Sequence, residues 1–292
     1  MNQLHYEVVG INNLKSFEIK SFSKINLGLK ITGRRNDGFH NIHSIFIEND
    51  LHDVIRFEQS DGLEIKFKNQ IIPEVNTVSN AINVISDYCN LNKKNIKYKI
   101  TVIKNIPVGS GLGGGSSNAA YIIKTINKIY DLGLRNYDLE KLAIKIGSDV
   151  PFFISGKVKQ ISGIGEVIKT IDSTFLKDKI FLLVFPDFSV STKWAYGKIK
   201  KDLYDDKINT KFPALDNKVD LSLFENVFEH IVCLTYPEIM DIKSLLIDSG
   251  ALYASLSGSG STMFGIYNDI DLAKNAISYL NRYHTCLALP RT

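Results

Sequence analysis

Cysteine is scarce here. The 292 residues hold three, Cys89, Cys233 and Cys286, widely separated and without metal-ligand spacing. That pattern excludes a disulfide-built scaffold and a cysteine zinc site. It suits a reducing compartment with buried thiols. Long apolar runs are also missing: none approaches the about 18 residues that a membrane-spanning helix needs. Strong charge of either sign is absent too. Thirty-five basic and 31 acidic side chains leave a net charge of +4. So small an excess does not point to nucleic acid or a membrane surface as partner, and suits a phosphorylated small molecule. The stretch Met1 to Lys20 carries two acidic residues and no continuous apolar core, so it reads as neither a secretion signal nor a transit peptide. A cytoplasmic protein is expected. Repeats, linkers and low-complexity tracts are lacking.

What is present is an ordinary globular composition, 44% apolar and 23% charged, long enough for two domains. Alternation from Phe17 to Thr32 predicts a half-buried strand, turned by Gly33 to Gly38. A second strand, Ile42 to Asp50, and a third, Asp53 to Glu58, follow. Asp61-Gly62 predicts a further hairpin into Leu63 to Phe67. Helical spacing covers Val78 to Asn90, and Tyr98 to Lys104 is a strand. A helix to about Tyr130 is expected to end near Gly133, followed by a helix over Asp138 to Ile146 and an extended Asp149-Val150-Pro151-Phe152-Phe153. Strand Ile180 to Phe185 opens the second half. Helices Leu223 to Leu234 and Pro237 to Ser249, strands Leu252 to Leu256 and Met263 to Tyr267, helix Leu272 to Asn281 and a last strand complete it. Strand-rich then helix-rich halves predict an α+β protein in two lobes.

One stretch dominates: Ile106-Pro107-Val108-Gly109-Ser110-Gly111-Leu112-Gly113-Gly114-Gly115-Ser116-Ser117-Asn118-Ala119-Ala120, with five glycines in seven positions. Glycine permits positive φ and close backbone approach to a ligand. A glycine loop feeding a helix N-terminus offers unpaired N–H donors and the positive end of the helix dipole, which suits a polyphosphate. Gly109, Gly111 and Gly114 formally match the dinucleotide-binding fingerprint, but they lie a third of the way along the chain rather than after its first strand, and Lys104-Asn105 breaks the apolar run before them. No Gly-Lys-Ser/Thr follows, so the loop is not of the Walker type.

The loop resembles the phosphate loop of the GHMP kinases, whose pattern is Pro, a few small residues, then Gly-Leu-Gly/Ser-Ser/Gly-Ser-Ala/Ser. The resemblance runs from about Lys20 to the C-terminus through four motifs in family order. It implies a two-domain GHMP kinase fold. Residues 1–170 would be a ribosomal-protein-S5-like N-terminal domain carrying the ATP loop, and 171–292 a ferredoxin-like C-terminal domain, with the site in the cleft. The triple glycine and the segment Gly33-Arg34-Arg35-Asn36-Asp37-Gly38-Phe39-His40 look most like the branch that phosphorylates a cytidylylated sugar alcohol.

Residue by residue, the resemblance makes Asp149, in Gly147-Ser148-Asp149-Val150-Pro151, the base that accepts the substrate hydroxyl proton. Lys24, in Ser23-Lys24-Ile25-Asn26-Leu27, would pair with it; a nearby ammonium keeps a carboxylate ionised. Asn26 shares a strand face with Lys24 and would touch substrate. Phe39 would stack on cytosine, replacing the usual Tyr, and His40 would bond the base edge. Tyr196 falls where the family has a second stacking aromatic, and Thr192 where it has a hydroxyl contact. The nucleotide would meet Lys104, Pro107, Gly109, Gly111, Leu112, Gly113, Gly114, Gly115, Ser116, Ser117 and, at the adenine, Asn76. Ser257-Gly258-Ser259-Gly260-Ser261-Thr262 resembles the third family motif, a second small-residue loop closing over the first, with Gly258 at the substrate. ATP and Mg2+ are the expected cofactors, with Ser116 the candidate metal ligand and no acidic partner evident. A monomer or weak homodimer is expected. Homoserine-like or mevalonate-like kinase activity, a non-catalytic nucleotide-binding GHMP protein, and NAD binding on the fingerprint alone stay open as alternatives.

Overall fold

The computed structural model describes residues 15–200, 203, 215 and 219–292; the first fourteen residues, for which the sequence suggested no role, lie outside it. The chain forms two compact units that interleave in sequence. One comprises the described residues up to Ser21, Asp53–Asn105 and Gly115–Ile154. The other comprises Phe22–His52, Ile106–Gly114 and the chain from Ser155 onward.

Two long strands, β1 (Ser16–Arg34) and β2 (His40–Gln59), run through both units. The sequence suggested two strands where β2 is one. Its polar middle, Asn49-Asp50-Leu51-His52-Asp53, reads as a break, yet Asn49 and Asp53 are fully buried and bonded. Asn49 accepts from the Ser23 hydroxyl at 2.7 Å.

In the first unit, Val54–Gln59 of β2 pairs antiparallel with β4 (Tyr98–Ile103). The predicted hairpin after Asp61-Gly62 is not formed. Strand β3 (Glu64–Lys68) instead runs parallel to β4, Glu64 opposite Lys99 and Lys68 opposite Ile103. A parallel pair needs a crossover, supplied by α1 (Thr77–Tyr88). Asn76 caps α1, accepting from the Val78 and Ser79 amides, and Ser79 returns the bond. Helix α2 (Gly114–Ile129) buries Ala119, Ala120, Ile122, Ile123 and Ile126, the i, i+3, i+4, i+7 stripe of a core-facing helix. The first left-handed residue after it is Asp131 at φ 46°, ahead of Gly133 at φ 67°. Helix α3 (Asn136–Ala143) is shorter than expected. The segment expected to be extended after Asp149 is a turn entering α4 (Phe152–Ser155), with the Val150 amide on the Gly147 carbonyl. Proline fits here because its missing N–H is an orphan at a helix start. Phe17, Phe57 and Tyr98 make an aromatic cluster, Phe17 stacked on Phe57 at 4.9 Å. Full burial of a phenylalanine such as Phe57 is worth about 1.5–3 kcal/mol.

In the second unit, Ile42–Ile47 of β2 pairs with β5 (Val158–Gly163), which forms a hairpin with β6 (Val167–Thr170). Neither strand was expected. Next come the fully buried β7 (Ile180–Phe185), α5 (Thr192–Gly197), α6 (Val227–Cys233), α7 (Glu238–Asp248), β8 (Tyr253–Leu256), β9 (Met263–Tyr267), α8 (Ile270–Tyr279) and β10 (His284–Ala288). The antiparallel order β10-β7-β9-β8 is the ferredoxin-like arrangement that the resemblance implied. One core joins Ile25, Leu27, Ile45 and Ile47 to Phe181, Leu183 and Phe264, and takes in Ile106 and Leu112 from the glycine loop. The three cysteines are unbridged and half-buried rather than fully buried. Among the described residues no helix is long and apolar enough to cross a membrane.

Candidate active site

The glycine loop begins where β4 ends and is pinned at two apolar points, Ile106 and Leu112, both fully buried. Between them Gly109 and Gly111 take φ of 69° and 80°, and Gly113, just past Leu112, takes 69°, the left-handed region that only glycine enters routinely. Pro107, Val108 and Gly109 lie toward solvent, while Ser110 folds back to donate to the Pro107 carbonyl at 2.7 Å. Gly114 and Gly115 open α2, leaving that helix's first amides without intrahelical partners.

A second small-residue loop, between β8 and β9, packs on the first, as the motifs implied. The Thr262 amide donates to the Ser110 carbonyl at 3.1 Å, and the Ser257 hydroxyl to the Gly111 carbonyl at 3.1 Å. A Cβ on Gly111 would lie 2.0 Å from the Ser257 carbonyl oxygen, and one on Gly258 would lie 3.3 Å from the Gly111 carbonyl oxygen. Glycine is required at Gly111 by both φ and space.

Lys24 sits where β1 meets this pair of loops. Its amide donates to the Leu112 carbonyl at 3.0 Å, its ammonium to the Gly111 carbonyl at 3.0 Å and to the Asn26 amide oxygen at 2.5 Å. The Phe46 ring lies 4.7 Å from the ammonium. Asn26 is fully buried and also donates to the Ser44 hydroxyl at 3.1 Å, which donates to the Gly28 carbonyl at 2.6 Å. Both ends of the Asn26 amide are therefore engaged within the protein, and its clear effect is to aim the Lys24 ammonium.

In the same unit the predicted aromatic residues gather. The His40 ring lies 5.5 Å from that of Tyr196, which lies 4.8 Å edge-on from Phe228. Phe39, next to His40 in sequence, is half exposed, its turn held by Asp37, which accepts from the Phe39 amide and the Arg35 guanidinium. Burial first, and the Arg34 charge second, push the His40 pKa below its ordinary value, so the neutral ring is favoured. Thr192, on α5 with Tyr196, meets the Ser259 hydroxyl of the second loop at 3.2 Å.

In the other unit, Asp149 is half-buried in the turn before α4. Asn76, in capping α1 and donating to the carbonyls of Pro73 and Glu74, uses its whole amide locally. Thr77 beside it donates to the Gly115 carbonyl at 2.8 Å. Lys104 is buried, its ammonium ion-paired with Asp53 and bonded to Asn118. Ser117 shares its hydroxyl with Ser21 at 2.7 Å, whereas Ser116 is half exposed in the first turn of α2. Among the described residues no group of three His, Cys, Asp or Glu side chains could hold a metal. Asp53 and Asn226 were not anticipated, and Asn118 and Ser257, though inside the two motifs, were not matched with these partners. Asn226 donates to the Leu256 and Gly258 carbonyls at 2.7 and 2.9 Å, holding the second loop from beneath; nothing local in the sequence signals it.

Two interlocked small-residue loops, a buried lysine at their junction and a ferredoxin-like sheet behind them define a class of small-molecule kinase. The models of the GHMP kinases N terminal domain and the GHMP kinases C terminal domain match residues 76–157 and 216–285. The chain belongs to the GHMP kinase family and is an ATP-dependent kinase. Its relatives include 4-diphosphocytidyl-2-C-methyl-D-erythritol kinases. That of Thermodesulfovibrio yellowstonii is 39% identical over 90% of this chain and 94% of its own length. That of Caldanaerobacter subterraneus is 35% identical over 94% and 96%. A crystal structure of 4-(cytidine 5'-diphospho)-2C-methyl-D-erythritol kinase matches with a TM-score of 0.76 at 26% identity, covering 94% of this chain and 100% of that one. Homoserine kinase from Cytophaga hutchinsonii, 17% identical with a TM-score of 0.73 over 99% and 97% of the chains, shares the fold.

Proposed function

We propose that this protein transfers the γ-phosphoryl group of ATP to the C2 hydroxyl of 4-diphosphocytidyl-2-C-methyl-D-erythritol, a step of the non-mevalonate isoprenoid pathway. The observation that carries the reading is the position of His40 and Tyr196. The His40 imidazole, whose pKa burial lowers, and the Tyr196 phenol ring lie 5.5 Å apart and tilted at 37° in the same unit as the two interlocked loops, a pairing suited to a flat base with hydrogen-bonding edges. Phe39, His40, Thr192, Tyr196 and Gly258 take the cytidylylated alcohol, and Asn26 acts on it through Lys24.

The reaction needs anion donors, charge neutralisation and a group that readies the nucleophile. The loop from Pro107 to Ser117 supplies backbone amides to the triphosphate, with Lys104 at its base and Asn76 beside its exit into α2. Lys24 supplies positive charge at the junction of the loops. Asp149 takes the proton of the acceptor hydroxyl. The donor set suits magnesium held chiefly by nucleotide phosphates, with the Ser116 hydroxyl as its protein ligand. Bound there, the ion would neutralise phosphate charge. We assign residues 1–170 and 171–292 to the two family domains, and the protein to the cytoplasm as a monomer or weak homodimer.

A coupled ADP-release assay tests the reading. Turnover is expected with the cytidylylated methylerythritol and none with homoserine or mevalonate. His40→Ala should raise KM for the cytidylylated alcohol alone. Turnover of an uncytidylated alcohol that ignores the His40 substitution would overturn it in favour of another GHMP small-molecule kinase.

A further inference from the structure

Beneath the entry and exit of the glycine loop lies a polar network that no phosphate chemistry requires directly. Asp53, on β2, is fully buried. One of its carboxylate oxygens accepts from the Asn105 amide at 2.7 Å, the last residue before the loop. The other accepts from the Lys104 ammonium and from the Asn118 side-chain amide at 3.0 Å, the latter in the second turn of α2, just past the loop. Asn118 also accepts from Lys104 at 3.1 Å and donates to the Ser21 hydroxyl at 3.0 Å, and Ser21 bonds Ser117 at 2.7 Å. Ser21, Asp53, Lys104, Ser117 and Asn118 are all at most 4% exposed.

We infer that Asp53 is the positioning residue for the nucleotide: it clasps the two ends of the phosphate loop and so fixes where the first amides of α2 point. A helix N-terminus binds an anion only if its N–H groups converge on it, and those groups turn with the helix. Asp53 ties that helix, through Asn118, to the strand end that launches the loop. Lys104 cancels the clasp's charge, because a lone carboxylate here would repel the triphosphate and be strongly disfavoured when buried. Lys104 thus acts on the nucleotide through the loop's base.

This inference rests on the glycine loop being the nucleotide site, so titration of the wild-type protein with a non-hydrolysable ATP analogue comes first. Absence of binding there sinks the site assignment and not the clasp. Asp53→Asn and Asn118→Asp are isosteric, and each sets like groups against one another. Each should weaken analogue binding at least tenfold while the KM of the alcohol substrate changes less than about twofold. The double variant exchanges carboxylate and amide within the same network and should return the analogue Kd to within about threefold of wild type. Ser21→Ala strands no charge and keeps the test open if a single variant does not fold; about threefold weaker binding is expected. Single variants that melt earlier yet bind the analogue as wild type does, a double variant as weak as the singles, or a silent Ser21→Ala would each overturn the inference.

Discussion

Replacing Gly111 by alanine should damage this protein far more than the same change at Gly109, two residues away in the same loop. Both positions have positive φ, 80° and 69°, and a left-handed alanine costs about 1–2 kcal/mol. At Gly109 nothing lies within 4 Å of the added methyl, so that cost is nearly all. At Gly111 the methyl would sit 2.0 Å from the Ser257 carbonyl oxygen. Against an ordinary separation of about 3.5 Å, the two loops would have to part by roughly 1 Å or more. Overpacking of this kind costs about 1–3 kcal/mol. Parting the loops also strains the bonds from Ser257 and Lys24 to the Gly111 carbonyl, about 0.5–1.5 kcal/mol each. Together these give about 3–8 kcal/mol at Gly111 and about 1–2 at Gly109. A displacement of about 1 Å at the reacting centre should lower kcat/KM by about a hundredfold. Urea unfolding and steady-state kinetics of the two variants, side by side, read both quantities. Equal losses in the two variants would refute the argument that the loops are locked by backbone contact at this point.

Three further outcomes are expected. Asp149→Asn should leave nucleotide binding near normal by titration and abolish turnover; a variant keeping a substantial fraction of kcat would remove Asp149 as the base. Asn226→Asp keeps the oxygen that caps α6 on the Phe228 amide but loses both donations to the second loop, so chemical denaturation should show about 1–3 kcal/mol of destabilisation, where an unchanged midpoint would contradict the bracing role. For His40, the folded ring titrates below the ordinary 6.5; between those two values the unfolded chain binds more protons, so stability falls as pH drops through that window and is level above it. NMR titration of the ring should give a midpoint under 6.5, and His40→Gln should flatten that part of the stability profile.

Much of this was legible in the sequence because it rests on local chemistry. Five glycines before a helical stripe announce the loop, and small residues flanked by apolar strands announce its partner. Lys24 and Asn26 alternate in a pattern that puts them on one face. What stayed hidden depends on partners distant in sequence. Asp53 reads as a strand start after a polar break, because its carboxylate is satisfied by Asn105, Lys104 and Asn118, some fifty residues on or more. Asp61-Gly62 signals a hairpin, yet β3 waits for β4 across α1, and a parallel pairing leaves no local mark. Val150-Pro151 suggests extended chain because the residue before proline avoids the helical region, but the helix begins only after the proline. Lys104 and Asn76 carried family roles on the nucleotide side; burial and capping respectively occupy their polar atoms in ways that spacing does not reveal.

The most direct measurement is on the product. Incubated with ATP and the cytidylylated methylerythritol, the protein should yield one ADP per phosphate transferred, with 31P NMR and mass analysis locating the new phosphate on the C2 hydroxyl alone. ADP accompanied by free inorganic phosphate, or a phosphate on a different hydroxyl, would contradict the account.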